Sequence, residues 1–385
     1  MSMLDLRKFV APEFVFGLDA RLLAGRYTKN WGAKRVLVVT DPGVLNAGWA
    51  AEVLQSLESE GLRHCVFKDI SPNPRDYEVA AGVHYYQQQG CDGLVAIGGG
   101  SVMDCAKGIG IVVANGGDIL NYEGVDRVTL PMPPLVCIPT TGGTSADVSQ
   151  FAIINNTAEK VKIAIISKAV VPDVALVDPK TLTTLDSYLT ACTGMDALVH
   201  AVEALVSNAS SPLTDMHALE AIRLIRDHLA ESVKAPTDLD HRGGVMLASL
   251  QAGLAFSNAS LGCVHALAHS LGGYLDLPHG ECNALLLAQV VDYNFPSAQE
   301  RYMRLGESLG LDWRGMTAHE SRQALVNHLL QLRRALGIGG SLGDRGLSTS
   351  DIGPLAGKAL RDPCNATNPR IPNRRDLEVI LEGAM

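Results

Sequence analysis

Four short apolar runs, largely β-branched, constrain this chain most: Val36-Leu37-Val38-Val39, Leu94-Val95-Ala96-Ile97, Leu135-Val136-Cys137-Ile138 and Val174-Ala175-Leu176-Val177. A strand with one wet face alternates apolar and polar residues, whereas an unbroken apolar run is buried on both faces. Each run is followed by Gly, Pro, Asp or Thr, and helical patterns such as 50–61 and 76–90 lie between them. Strand, helix, strand repetition predicts a parallel sheet covered by helices on both faces. After about residue 186 the strand-like runs stop, and segments 187–207, 213–232, 241–257 and 263–274 carry helical spacing. The expected fold is α/β: a Rossmann-like parallel-sheet domain over 1–185 and an all-helical domain over 186–385. The join falls within 178–186, where Asp178-Pro179 breaks the pattern.

Charge and cysteine usage exclude several function classes. A net charge of −9 leaves no basic block to neutralise nucleic-acid phosphates, and weighs against an anionic membrane surface. The eight cysteines form no C-x-x-C pair, so a zinc ribbon and a thioredoxin-like motif are excluded. Reduced, buried thiols suit the cytosol. The first 17 residues include Asp5 and Glu13 and lack the apolar core of a secretion signal. No apolar run approaches the ~20 residues of a bilayer span. The expectation is a cytoplasmic protein with neither nucleic acid nor membrane as partner.

Two small-residue clusters follow strands. Gly98-Gly99-Gly100-Ser101 comes after Ile97 and opens a helix. Glycines there let a phosphate approach the backbone, and the helix N-terminus offers free N–H groups. Pro139-Thr140-Thr141-Gly142-Gly143-Thr144-Ser145 follows the strand ending at Ile138. In open α/β sheets ligands lie outside the carboxyl ends of strands. Asp41 stands at a third such end, where a carboxylate can accept ribose hydroxyls; the alternative is an Asp-Pro-Gly turn. The G-x-G-x-x-G fingerprint is missing after the first strand, so the pattern describes a nucleotide site of a different design.

The second half carries histidines in apolar surroundings. Asp196 and His200 are four apart, as are His265 and His269, and each pair shares a helix face. His279 follows a proline in a glycine-flanked loop. Unpaired polar groups would be costly there. One Asp and three His supply four ligands for a divalent transition metal. Satisfied polar residues at a helix interface are the competing reading.

Taken together, Gly98-Gly99-Gly100-Ser101-x-x-Asp104-x-x-Lys107, Pro139-Thr140-Thr141, Gly194-Met195-Asp196-x-x-x-His200, His265-x-x-x-His269 and Pro278-His279-Gly280 resemble the iron-containing alcohol dehydrogenases. That family includes lactaldehyde reductases and 1,3-propanediol dehydrogenases. The resemblance runs from about Phe14 to Arg370. It implies a dinucleotide domain, a helical metal domain and a cleft between them. It implies that Asp196, His200, His265 and His279 bind Fe(II), with His269 near the nicotinamide and assisting proton movement. Asp41, Gly99, Gly100, Ser101 and Asp104 would line the NAD site, together with Thr140, Thr141, Thr144, Lys162 and Leu182. Many members continue Pro-Thr-Thr as x-Gly-Thr-Gly-Ser-Glu; here the chain reads Gly142-Gly143-Thr144-Ser145-Ala146-Asp147.

The activity this implies is NAD-dependent interconversion of small primary alcohols and aldehydes. A metal there acts as a Lewis acid and lowers the cost of removing the hydroxyl proton. Phe151, Phe256, Leu261 and Cys364 are expected to line an apolar substrate pocket. Two other readings stay open: a zinc-dependent, glycerol dehydrogenase-like polyol oxidation, and a non-catalytic NAD and metal sensor. The short apolar segment Phe14-Val15-Phe16-Gly17 reads as an edge strand that pairs across a two-fold axis, giving a homodimer or higher homo-oligomer.

Overall fold

The computed structural model describes Leu6 and residues 8–385. The strands are β1 (Glu13–Phe16), β2 (Arg35–Val39), β3 (Arg63–Phe67), β4 (Gly93–Gly98), β5 (Gly124–Val125), β6 (Leu135–Pro139), β7 (Phe151–Asn156), β8 (Val161–Ile166) and β9 (Val174–Val177). Among the described residues, one parallel sheet runs in the order β1-β9-β6-β4-β2-β3. A second sheet, β5-β8-β7, contains the antiparallel pair β7 and β8.

The apolar runs divide between two cores with the period of a strand. Val36, Val38, Val95, Ile97, Val136 and Ile138 face one way, against Ala50, Val53 and Leu57 of the Trp49–Ser59 helix. Leu37, Val39, Leu94, Ala96, Leu135 and Cys137 face the other, against the Asp76–Gln89 and Gly100–Asn115 helices and Ile154, Ile163 and Ile165 of the second sheet. Burial of each Val, Leu or Ile contributes about 1.5–3 kcal/mol, so both faces hold the central strands in place. A single Val95→Asp would lose that term and bury a carboxylate.

β3 and the β7–β8 pair add to the strands expected from the apolar runs. At the sheet edge, Arg63 is exposed and His64 to Val66 are only half-buried, so β3 shows no continuous apolar run. On the opposite edge lies β1, pairing with β9 in the register Phe14↔Ala175 and Phe16↔Val177. Phe14 and Phe16 are 42% and 40% exposed.

The remainder is helical. Ser187–Val206 is capped by Asp186, whose carboxylate accepts from Leu189 N at 2.9 Å. Pro212–Lys234, Leu239–Ala259, Cys263–Leu275 and His279–Asn294 follow, and further helices reach Arg374–Gly383. Gly194 is where the first two of these meet: a Cβ there would stand 2.2 Å from Leu229 Cδ1. By length and composition Ser187–Val206 could cross a membrane, which the sequence reading did not anticipate, but it is almost entirely buried inside the protein. It is a core helix.

Backbone packing groups Val10–Leu185 with Pro236–Met246 as one unit, and Asp186–Ala235 with Leu247–Met385 as the other. The expected second segment, 186–385, is therefore interrupted. Arg242 explains why: its guanidinium is buried and donates to Pro236 O at 2.7 Å and Leu185 O at 2.9 Å. Val245 Cγ1 also approaches Gly142, where a Cβ would meet it at 3.0 Å.

Candidate functional site

In the α/β unit, the expected nucleotide residues gather at the carboxyl ends of adjacent strands. Gly98 of β4 pairs with Pro139 of β6, and Thr140 N donates to Gly98 O at 2.9 Å. Gly99 is the N-cap of the Gly100–Asn115 helix, and no side chain caps it. The first amides of that helix thus keep unused donors. A Cβ on Gly99 would meet Thr141 Cγ2 at 3.0 Å, and one on Gly100 would meet Thr144 Cγ2 at 2.7 Å. The two small-residue clusters are in contact, and glycine is needed for that approach. Thr141 Oγ1 is buried and has no hydrogen-bond partner within the protein. An uncapped helix N-terminus beside an orphaned hydroxyl fits an anionic, hydrogen-bonding ligand.

Around this edge the other expected residues occupy distinct positions. Asp41 follows β2 and caps a short helix, accepting from Val44 N at 2.9 Å through Oδ1. Ser101 Oγ accepts from Asn73 N at 3.1 Å, and Lys162 Nζ donates to Asn73 Oδ1 at 2.6 Å. Asn73 therefore ties these two residues together from a left-handed backbone conformation, φ 59°. Burial pushes the Asp104 carboxyl up to about 7, against the pull of Lys107 and Lys162. Lys107 is itself buried, donating to Ser149 O at 2.9 Å and Phe151 O at 2.7 Å. Leu182 is buried in a 3-10 turn, with Cδ1 3.2 Å from where a Gly142 Cβ would be. Ser145 is left-handed at φ 51°.

In the helical unit, three helices bring donors together. Asp196, His200 and Glu203 are spaced along one face of Ser187–Val206, His265 and His269 belong to Cys263–Leu275, and His279 opens His279–Asn294. Ligand atoms of Asp196, His265 and His279 all lie within 4.8 Å of one another. Asp196 Oδ1 is 3.8 Å from His265 Nε2 and 4.0 Å from His279 Nε2. His200 stands beside this convergence, stacked between His265 (ring centroids 4.6 Å) and Phe256 (4.2 Å).

Hydrogen bonding orients these groups. His265 Nδ1 contacts Glu203 Oε2 at 2.6 Å, so an Nδ1–H donating to the carboxylate leaves Nε2 as an acceptor facing Asp196. Burial pushes the Glu203 carboxyl up to about 7, opposed by the amides of Val264 and Gly262. Asn283 Nδ2 lies 2.6 Å from Asp196 Oδ1 and 3.2 Å from both His265 Nε2 and His279 Nε2. Its two protons cannot satisfy three acceptors. A buried cluster of one carboxylate and imidazole nitrogens, this poor in donors, fits a divalent transition metal. His269 Nδ1 contacts Asp362 Oδ2 at 2.8 Å, and its ring stacks on that of His279. Burial alone would raise the Asp362 carboxyl, but the His269 interaction holds it below the usual value.

The expected substrate lining divides between the units. Phe151 belongs to β7, whereas Phe256, Leu261 and Cys364 lie in the helical unit, all buried. Thr367 Oγ1 bridges Leu261 O (2.6 Å) and Cys364 O (3.3 Å), and so brings those two segments together.

A family model described as iron-containing alcohol dehydrogenase matches residues 11–179, and the C-terminal model of the same family matches residues 190–385. The chain belongs to the iron-containing alcohol dehydrogenase family. It is 37% identical to the NAD-dependent methanol dehydrogenase of Bacillus methanolicus, covering 98% of this chain and 99% of the relative. It is 38% identical to the 1,3-propanediol dehydrogenase of Citrobacter freundii, covering 96% of each. A crystal structure of a 1,3-propanediol oxidoreductase matches with a TM-score of 0.95 at 37% identity, over 99% of this chain and 100% of that one. The protein is thus an oxidoreductase of the alcohol dehydrogenase type.

Four residues that hydrogen-bond the expected site residues within each unit are not marked by the sequence motifs: Asn73, Glu203, Asn283 and Asp362. Glu203 had a signal, since it falls seven residues after Asp196 on the same apolar helix. Asn283, four residues after His279, had the same helical signal. Asn73 and Asp362 sit in proline-flanked turns that carry no mark beyond turn composition.

Proposed function

We propose that this chain catalyses NAD-linked interconversion of small primary alcohols and aldehydes, with Asp196, His200, His265 and His279 holding Fe(II). The observation that carries the reading is the convergence within 4.8 Å of ligand atoms from buried Asp196 and His265 and half-buried His279. A divalent metal held there supplies Lewis acidity, which lowers the cost of removing the alcohol's hydroxyl proton. The protein's own groups divide the remaining tasks. Asp362 accepts the Nδ1 proton of His269 and leaves Nε2 as the acceptor through which a substrate proton leaves toward solvent. Gly99, Gly100 and Thr141 offer backbone amides and a hydroxyl to the pyrophosphate, and Asp41 keeps Oδ2 for the adenosine ribose. Phe256, Leu261 and Cys364 supply an apolar lining, which suits a substrate without charge.

The deciding experiment is NADH formation by Fe(II)-reconstituted enzyme across C2 to C6 alcohols and diols. Turnover of at least one short primary alcohol is expected; none with full metal loading would refute the reading and favour a sensor. Zinc supporting turnover where Fe(II) does not would refute the iron assignment. We further infer pairing of two chains along β1, because its outer edge carries half-exposed Phe14 and Phe16. Light scattering should then report a dimer or a multiple of it, and a monomeric mass would refute the pairing.

A further inference from the structure

We propose that Glu203 is the positioning residue of the metal centre, acting through His265: it accepts the Nδ1 proton and so turns Nε2 toward Asp196 and His279. This inference rests on the metal-site reading given above.

Glu203 is 4% exposed on an apolar helix, where a carboxylate persists only with its lone pairs engaged. Three donors engage it. Oε1 accepts from Val264 N at 2.7 Å, and Oε2 accepts from Gly262 N at 3.0 Å and from His265 Nδ1 at 2.6 Å. Gly262 is the N-cap of the Cys263–Leu275 helix and has no side chain with which to cap it. A carboxylate from another helix thus takes the N-cap role. By gripping the N-cap amide, a first-turn amide and the imidazole, it fixes the start of the helix and the rotation of one ligand ring. Gly262 itself is shaped for this grip, since a Cβ there would stand 3.0 Å from Glu203 Oε1.

The chemistry then follows from proton counting. Imidazole binds a metal through an unprotonated nitrogen, and the proton on the other nitrogen needs an acceptor. With Nδ1–H donated to Glu203, Nε2 is the unprotonated nitrogen, and it faces Asp196 Oδ1 at 3.8 Å. Glutamine cannot reproduce this arrangement. Both oxygens of Glu203 accept from N–H groups, so an NH2 in place of either one sets donor against donor.

The test is anaerobic Fe(II) titration against a competing chelator for the wild type, Glu203→Gln, His265→Ala and the double variant. We expect stoichiometric binding by the wild type and about 10–100-fold weaker binding by Glu203→Gln, the range typical for loss of such a partner. In the His265→Ala background Glu203→Gln should add little, because the group it acts through is gone. Wild-type affinity in Glu203→Gln overturns this inference and leaves the metal reading standing. The same penalty with and without His265 also overturns it, making Glu203 a helix anchor only. A wild type that takes up no iron overturns both readings. Should Glu203→Gln not fold, histidine 15N shifts of the zinc-loaded wild type decide, with His265→Gln for assignment. An Nδ1-protonated, Nε2-ligated His265 is expected, and ligation through Nδ1 would overturn the proposal.

Discussion

Replacing Gly280 by alanine should loosen the metal site from the backbone outward. Gly280 is the second residue of the His279–Asn294 helix, at the point where that helix crosses Ser187–Val206. A Cβ on it would lie 2.2 Å from Cys192 O, 2.7 Å from Cys192 C and 3.2 Å from Asp196 Cβ. Backbone atoms cannot rotate aside, so the helices must separate by about 1 Å to reach van der Waals distance. Overpacking of this kind costs about 1–3 kcal/mol. The better helix propensity of alanine returns about 1 kcal/mol at most. A net loss of about 1–2 kcal/mol lowers the unfolding midpoint by roughly 2–8 °C for a domain of this size. The effect on the site is larger, because His279 Nε2 and Asp196 Oδ1 sit on the two helices that move apart. Metal bonds tolerate displacements of only about 0.2 Å. Affinity for Fe(II) should therefore fall by more than about tenfold, with far-UV circular dichroism unchanged. Thermal unfolding in the presence of chelator and anaerobic Fe(II) competition read the two effects separately. A Gly280→Ala protein with wild-type midpoint and wild-type affinity would refute the claim that this close contact sets the ligand spacing.

Other perturbations test neighbouring parts of the argument. Asp196→Ala should abolish metal binding more completely than loss of any one histidine, because it removes the anionic ligand of the set; tight stoichiometric iron in that variant would contradict the assignment. Asp41→Asn keeps the cap on Val44 N but removes the charge, so it should narrow a preference for NAD over NADP of about 100-fold, mainly by improving NADP; an unchanged ratio in parallel kinetics would reduce Asp41 to a turn residue. Asp147 is buried, and burial pushes its carboxyl from 3.8 up to about 6, against a backbone hydrogen bond and Lys107. A raised folded value means the folded state holds the proton more tightly, so this group's contribution is complete below about pH 4 and is lost as pH rises through 6. Asp147→Asn should therefore gain midpoint relative to the wild type between pH 4 and 7; a constant difference across that range would rule out a buried, titrating Asp147.

Much of the α/β architecture can be read from the chain because burial on both faces leaves no polar positions. Val36–Val39 and Leu94–Ile97 pair in register inside the sheet, where an unbroken apolar run is buried on both faces. The same logic fails where burial is one-sided. β3 carries Arg63 and His64 on an open edge, so it shows no unbroken apolar signature. The grouping of 236–246 with the α/β unit is hidden in the sequence for a different reason. A buried arginine reads as a surface residue in a helical pattern until its carbonyl partners, one of them 57 residues away, are known.

In the helical unit the four-residue spacings of Asp196 with His200 and of His265 with His269 were visible, because a polar residue on an apolar helix face is expensive and needs a reason. That cost also implies more than the histidines themselves. A buried imidazole has two nitrogens, and engaging one in chemistry leaves the other in want of a partner. His265 meets this with Glu203, 62 residues away, and His269 meets it with Asp362, 93 residues away. For these two histidines the buried ring therefore points to a second, hidden acceptor. Helical spacing can point to it when it shares a helix with a proposed ligand, as Glu203 does with Asp196 and His200. When the acceptor lies in a distant turn, as Asp362 does, only the tertiary fold brings the pair together. The existence of the partner follows from proton counting, and its identity from the packing of the chain.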